Sequence, residues 1–544
     1  VRVYQAVAES LRYVGVDVLF GLMGDANMQY IAAFRDGGGR FVAAVVEGGA
    51  VSMCDGWSRL SGRVGVATVT HGPGVTNAIT ALTEAVRAHT PMVLLVSETG
   101  PVREHPQRID LRAVAGLTGA GFATVLNPTD VALEIEAAVR AADRERRPVM
   151  LDIPVIQLAT TIDAPAWDRP FRLAPPRAIT PDPDLLDEVL GVALAARRPV
   201  ILAGRGALRA GAGPELRRLA DRLPAALATT LAARGLFRGH PRDLGLFGTL
   251  SHAVASEAIT ASDCILAFGA GLTDHTTLRG DLLRDKVIVQ CDRDERALGV
   301  RHPGAIGVLA DARELASAMT AALDGPGDAR ERRWTGELES ALAARDPAAE
   351  FVDGSGSETI DPRTAMLVLD EVLPPGRVVV TDVGRFHPAP WRYLHSAPGD
   401  FAYTTSFGSI GLGLATAVGA ALARPDRLTV AVVGDGGGMM GLMELIVAVR
   451  ERARLAVVVV DDAAYGAEWT KLAGFGLNPE YSLLPGPDLA GVARAMGARA
   501  RTVRTRSDFD AFRPLVDEAG GPVLIDVKAD PSVDPGVFVT PSDH

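Results

Sequence analysis

Short unbroken apolar runs recur along the chain. They are VDVLFG (16–21), FVAAVV (41–46), VGVATVT (64–70) and PMVLLVS (91–97), then VILAG (200–204), CILAFG (264–269) and KVIVQCD (286–292), then RVVVTD (377–382), LTVAVVGDG (428–436), LAVVVVDD (455–462) and PVLIDVK (522–528). Runs this short, apolar at successive rather than alternate positions, predict parallel strands covered on both faces. Stretches of helical spacing separate them, and the first residues read as an amphipathic helix leading into the first strand. The alternation predicts an α/β protein throughout.

Two stretches interrupt the alternation. Residues 158–185 are rich in Pro, and residues 324–362 are rich in Gly, charge and Pro, so both read as linkers. A chain of 544 residues is too long for one core. The expected organisation is three doubly wound parallel-sheet domains over 1–165, 185–325 and 360–535.

Composition narrows the function classes. The net charge of −11 argues against a nucleic-acid surface, which needs a basic face. No apolar run reaches the ~18–20 residues of a membrane span, and the N-terminal stretch lacks the pattern of a signal peptide. Cys54, Cys264 and Cys291 are far apart and form no CxxC, which excludes a zinc framework and suits a reducing cytoplasm.

The strongest chemical signal lies in the last third. Gly434-Asp435-Gly436-Gly437 ends one apolar run, and Asp461-Asp462-Ala463-Ala464-Tyr465-Gly466 ends the next, with a helical stretch between. In a parallel βαβ unit both strand ends open on one edge of the sheet, where ligands bind. Asp435 and Asp462 therefore share an edge with a glycine-rich turn. Carboxylate oxygens suit a hard divalent cation, and backbone N–H groups at a helix start suit phosphate. A lone tight turn beside a solvated Asp-Asp loop is the plainer reading of the same residues.

Here the chain resembles the thiamine diphosphate-dependent enzymes of the acetolactate synthase, pyruvate decarboxylase and benzoylformate decarboxylase type. Asp435 and Asp462 have the separation of that family's GDG aspartate and the second residue of its Asn-Asn pair. The resemblance implies Mg²⁺ on Asp435, Asp462 and the Ala464 carbonyl. Asp in place of Asn adds a negative charge, so Asp462→Asn is expected to bind as well or better. Asp461 is expected to be structural.

Three further segments extend the resemblance. Gly408-Ser409-Ile410 falls where a large apolar residue, here Ile410, wedges under the cofactor. Gly384, Arg385 and His387 fall in a loop that touches the diphosphate, the family more often having Gln and His at the last two, and Gly434, Gly436, Gly437, Tyr465 and Gly466 complete that cradle. Near the N-terminus, Val46-Glu47-Gly48-Gly49-Ala50 and Thr70-His71-Gly72-Pro73-Gly74-Val75-Thr76-Asn77 match the family's first domain. Glu47 falls on the glutamate that hydrogen-bonds the aminopyrimidine ring and promotes the imino tautomer that removes the thiazolium proton. Gly72, Pro73 and Asn77 flank it, and Glu47 is read at the end of the apolar run FVAAVV. In the family this glutamate serves a neighbouring subunit's cofactor, which implies a homodimer or tetramer.

The resemblance thus implies a lyase or carboligase acting on a small 2-oxo acid through an enamine intermediate, acetolactate synthase-like. Alternatives are a benzoylformate-type decarboxylase and a non-catalytic thiamine diphosphate-binding paralogue. His71, Asp110 and Glu468 are the candidates for steering the reaction, with a helix cap and a surface position as the plain readings of the last two. His105 stands alone near its loop, without the paired histidines of pyruvate decarboxylases. FAD, which some relatives bind in the middle domain, is possible but not favoured. The arginines of the relevant segment are replaced by Gly271 and His275.

Overall fold

The computed structural model describes residues 1–100, 104–165, 170–175, 177–323, 334, 336–517 and 520–536. Parts of both expected linkers lie outside the described residues. Three six-stranded parallel sheets carry the fold. The first is built from β1 (Val18–Gly21), β2 (Arg40–Ala43), β3 (Gly65–Thr68), β4 (Met92–Val96), β5 (Gly121–Thr124) and β6 (Val149–Asp152), in the order β2-β1-β3-β4-β6-β5. The second comprises β7 (Pro199–Ala203), β8 (Ala226–Thr229), β9 (Asp243–Leu246), β10 (Cys264–Phe268), β11 (Val287–Asp292) and β12 (Ile306–Leu309), in the order β12-β11-β10-β7-β8-β9. The third comprises β13 (Val378–Thr381), β14 (Phe401–Tyr403), β15 (Thr429–Gly434), β16 (Leu455–Asp461), β17 (Arg499–Val503) and β18 (Val523–Lys528), in the order β14-β13-β15-β16-β18-β17.

The apolar runs form interior strands, except that FVAAVV gives β2 at the edge of the first sheet. β4, β7, β10 and β16 are buried at every position, as strands covered on both faces must be. Register follows directly: Val457 lies beside Ala431 on one side and Leu524 on the other. The chain opens on α1 (Val3–Tyr13), whose buried face is Val3, Ala6, Val7 and Leu11. No helix among the described residues is long and apolar enough to cross a membrane.

The chain forms two compact units, the first holding the first and third sheets and the second holding the middle sheet. Two helices join the sheets of the first unit, α2 (Glu47–Ser61) and α5 (Gly413–Ala423), with α3 (Pro73–Arg87) and α4 (Leu111–Thr118) between them in sequence. Glycines allow the crossing: a Cβ on Gly56 would collide with the Thr416 carbonyl, and one on Gly419 with the Met53 carbonyl. Each glycine costs a helix about 1 kcal/mol relative to Ala. Direct backbone approach and the buried core on both sides offset that cost. Gly56→Val is expected to destabilise the protein by roughly 2–3 kcal/mol or more through overpacking. An unchanged urea midpoint would show that the crossing tolerates a side chain.

One local expectation is corrected. The run FVAAVV does not end in a strand at Glu47; β2 stops at Ala43, and Glu47 is the first residue of α2. The reason is Glu444, whose carboxylate accepts from the Val45 N–H at 3.1 Å and the Val46 N–H at 3.0 Å. Those bonds take the chain out of the strand and start the helix.

Candidate functional site

β13, β15 and β16 lie side by side, so their C-terminal ends share one edge of the third sheet. Gly434 caps α6 (Asp435–Gly441), and Asp435 is already its first residue, so the glycine-rich turn is the opening of a helix. Asp435 is buried and its Oδ2 has no hydrogen-bond partner. Burial, then the nearby carboxylates of Asp462 and Asp461, pushes its pKa up to about 7. Asp462 faces the same edge. Its Oδ2 pairs with the Arg385 guanidinium at 3.2 Å, and its Oδ1 accepts from the Ala464 N–H at 3.3 Å. Burial raises the Asp462 pKa, and Arg385 opposes that rise. Asp461 pairs instead with Lys528 and accepts from the Ala463 N–H at 3.1 Å.

The segment after Asp462 is held from the side. Ala463 adopts a left-handed φ of +52°, its carbonyl accepts from Leu484 N–H at 2.6 Å, and Tyr465 N–H donates to the Ser482 carbonyl at 2.9 Å. Neither bond uses the Ala464 carbonyl. Among the described residues no group of three or more His, Cys, Asp or Glu side chains is placed to hold a metal. A cation here would rest on two carboxylates and main-chain oxygen. The residues fit such a cation: a buried carboxylate oxygen without a donor is costly, and a hard divalent ion supplies the missing partner.

Asp382, which the sequence reading passed over, organises the neighbouring loop. It is fully buried, accepts from the Gly411 N–H at 2.8 Å and from Thr404 Oγ1 at 2.9 Å, and burial raises its pKa. A Cβ on Gly437 would press on Asp382 Oδ2 at 2.7 Å, so the start of α6 and the loop meet at this side chain. Gly408 (φ +90°) and Gly411 (φ +94°) let the loop turn around half-buried Ser409 and Ile410. From the other side, Glu84 on α3 accepts from Ser406 N–H at 3.2 Å and Phe407 N–H at 2.5 Å. Gly384 and His387 follow β13, and His387 is buried.

The first sheet has its own group of candidates in the segments that follow β2, β3 and β4. Glu47 is buried, and its Oε2 accepts from Asn77 Nδ2 at 3.1 Å. Gly72, at φ +58°, caps α3, and Pro73 is its first residue. A Cβ on Gly74 would lie 3.6 Å from Glu47 Oε1. His71 is buried against Thr70, and its ring centroid is 5.5 Å from that of His105. Burial, then His105, lowers the His71 pKa, while Asp25 opposes the fall. His105 Nδ1 accepts from the Gln107 N–H at 3.2 Å, so the neutral ring carries its proton on Nε2. The histidine that looked isolated in sequence is thus one of a facing pair.

Two candidates stand apart from these groups. Asp110 is exposed and caps α4, accepting from the Ala113 N–H at 2.9 Å. Glu468 is exposed in the first turn of α7 (Gly466–Gly474), where a carboxylate is favourable to the helix dipole. In the single chain, the cap and the dipole account for both.

Three models of one protein family match successive parts of the chain. Residues 1–114 match the thiamine pyrophosphate enzyme N-terminal TPP binding domain, 186–319 its central domain and 382–527 its C-terminal TPP binding domain. The probable 2-ketoarginine decarboxylase of Pseudomonas aeruginosa is 31% identical over 520 residues, covering 93% of this chain and 89% of that protein. Acetolactate synthase 1, chloroplastic, of Zea mays is 28% identical over 552 residues, covering 96% and 84%. The structure of a thiamine diphosphate-dependent 4-hydroxybenzoylformate decarboxylase from Rhodococcus jostii superposes with a TM-score of 0.82 at 23% identity, covering 97% of this chain and 99% of that one, a likeness of fold. The chain belongs to the family of thiamine pyrophosphate (thiamine diphosphate) enzymes.

Proposed function

We propose that the protein is a thiamine diphosphate- and Mg²⁺-dependent lyase or carboligase acting on a small 2-oxo acid. The carrying observation is the buried, unpartnered Asp435 oxygen beside Asp462 at the start of a glycine-rich helix. Asp435, Asp462 and the Ala464 carbonyl would hold the metal and, through it, the diphosphate. The N–H groups of Gly436 and Gly437 lie at the positive end of α6, and Ile410 would support the cofactor's rings. Glu47, oriented by Asn77, would hydrogen-bond the aminopyrimidine ring. When bound, the cofactor supplies a nucleophilic carbon for the 2-oxo group and a sink for the electron pair left as CO₂ departs. Glu47 and Asp435 stand on different sheets, and the family resemblance has Glu47 serving a second copy of the chain, so we propose a homodimer at least.

The facing imidazoles favour the decarboxylase branch. A neutral ring with a lowered pKa is suited to moving a proton at neutral pH. His71, neutral at rest, would take up a proton from water and pass it to the reacting carbon as a transient imidazolium, with His105 as its neighbour, releasing an aldehyde before ligation. With Glu468 exposed, His71 is the better candidate for this step. The test of the whole reading is cofactor binding with and without Mg²⁺, then CO₂ release from a panel of 2-oxo acids. No Mg²⁺-dependent binding would end it. His71→Ala is expected to lower aldehyde formation on the order of 10²-fold, the usual scale of general acid catalysis, with cofactor binding retained. The ratio of ligated product to aldehyde should rise; an unchanged ratio would remove His71 from the protonation step.

A further inference from the structure

Among the described residues, the carboxylates at the metal edge of the third sheet differ in the groups their oxygens meet. Asp461 has Lys528, Asp382 has Thr404 and the Gly411 N–H, and Asp462 has Arg385, while Asp435 Oδ2 has nothing. Arg385 is itself incompletely used. It is buried to 8% exposure, donates from Nη2 to Asp462 at 3.2 Å and from Nη1 to Thr470 Oγ1 only at 3.5 Å, and its Nε is buried without a partner. Gly466 leaves room beside both groups: a Cβ there would lie 2.9 Å from Asp462 Oδ2 and 3.1 Å from Arg385 Nε.

We infer that Arg385 and Asp462 are a matched pair: Arg385, in the loop that the resemblance sets beside the diphosphate, carries the charge that offsets the one Asp462 adds. The argument is one of charge and geometry, and rests on the proposed metal site. A divalent ion on Asp435 and Asp462 would compete with the guanidinium for the Asp462 carboxylate. The guanidinium is then a buried cation with free N–H donors in a fork that suits phosphate oxygens. A diphosphate held by the same ion would offer it such oxygens. Removing Arg385 alone leaves one surplus negative charge beside an anionic ligand. Removing the Asp462 charge alone leaves a buried cation facing the metal. The early expectation that Asp462→Asn binds as well or better therefore changes sign, because that expectation ignored Arg385.

The test is a double-mutant cycle read by calorimetric titration of thiamine diphosphate and of Mg²⁺. Arg385→Gln and Asp462→Asn are each expected to weaken Mg²⁺-dependent binding by about ten-fold or more, a typical coupling for charges in contact. The double variant should return to within about three-fold of the parent. Arg385→Lys, which keeps the charge and loses the fork, should lose less than Arg385→Gln. Thermal midpoints of the cofactor-free variants establish that each is folded. Single effects that multiply in the double variant, singles without effect, or equal losses for Lys and Gln would overturn the inference. Asp435→Ala separates the two levels: if it still binds in a Mg²⁺-dependent manner, the metal-site reading fails. If it does not bind and the cycle is multiplicative, only the pairing fails.

Discussion

Glu47→Gln is expected to lower turnover by about 10²–10⁴-fold, the range of a positioned acid–base group, with little change in stability. Glu47 is buried as the first residue of α2, where the helix dipole favours its charge. Gln keeps an oxygen for the Asn77 amide, so the recorded hydrogen bond survives. Loss of the dipole interaction amounts to about 0.3–1 kcal/mol. The lost charge matters far more to a bound aminopyrimidine, because a neutral amide does not draw the ring toward its imino form. Steady-state turnover at saturating cofactor and a thermal midpoint check both halves. Near-normal turnover in a folded, cofactor-loaded variant would remove Glu47 from the mechanism.

Asp435→Ala is expected to abolish Mg²⁺-dependent retention of the cofactor while making the cofactor-free protein more stable. The two signs come from one cause. The folded-state pKa of about 7 lies above the ordinary 3.8, so between those values the folded protein holds a proton that the unfolded chain has lost. Stability therefore falls as pH rises from about 4 to about 7, and the ionised group opposes folding at neutral pH by on the order of 2–4 kcal/mol. Ala removes that cost together with the ligand oxygen. The expected result is a higher thermal midpoint at pH 7.5 without cofactor, a smaller gain at pH 4, and no stabilisation on adding thiamine diphosphate with Mg²⁺. A midpoint that drops at both pH values would make Asp435 a structural residue.

Local sequence determined the fold class and the family. Strands such as LAVVVV and CILAF are legible because burial on both faces demands apolar residues at successive positions. Strands such as GFAT, ALAT, DLGL and RARTV are not, being short, small or polar and defined only by the neighbour they pair with. The glycine-aspartate and Glu47 segments carried the family resemblance, because backbone approach and a buried carboxylate restrict residue type at single positions, but the turn and the strand end expected there are both helix starts. Tertiary structure decided the partners. His105 meets His71, Arg385 meets Asp462, Glu84 meets Phe407 N–H, and Asp382 meets Gly411, each pair contributed by separate elements or loops. It also left Asp110 and Glu468 at the surface of the chain, where a cap and a helix dipole suffice. Parallel sheets bring every strand's C-terminal end to one edge whatever the length of the connection between them. Spacing in sequence therefore carries the identity of each group, while only the strand order fixes which group it faces.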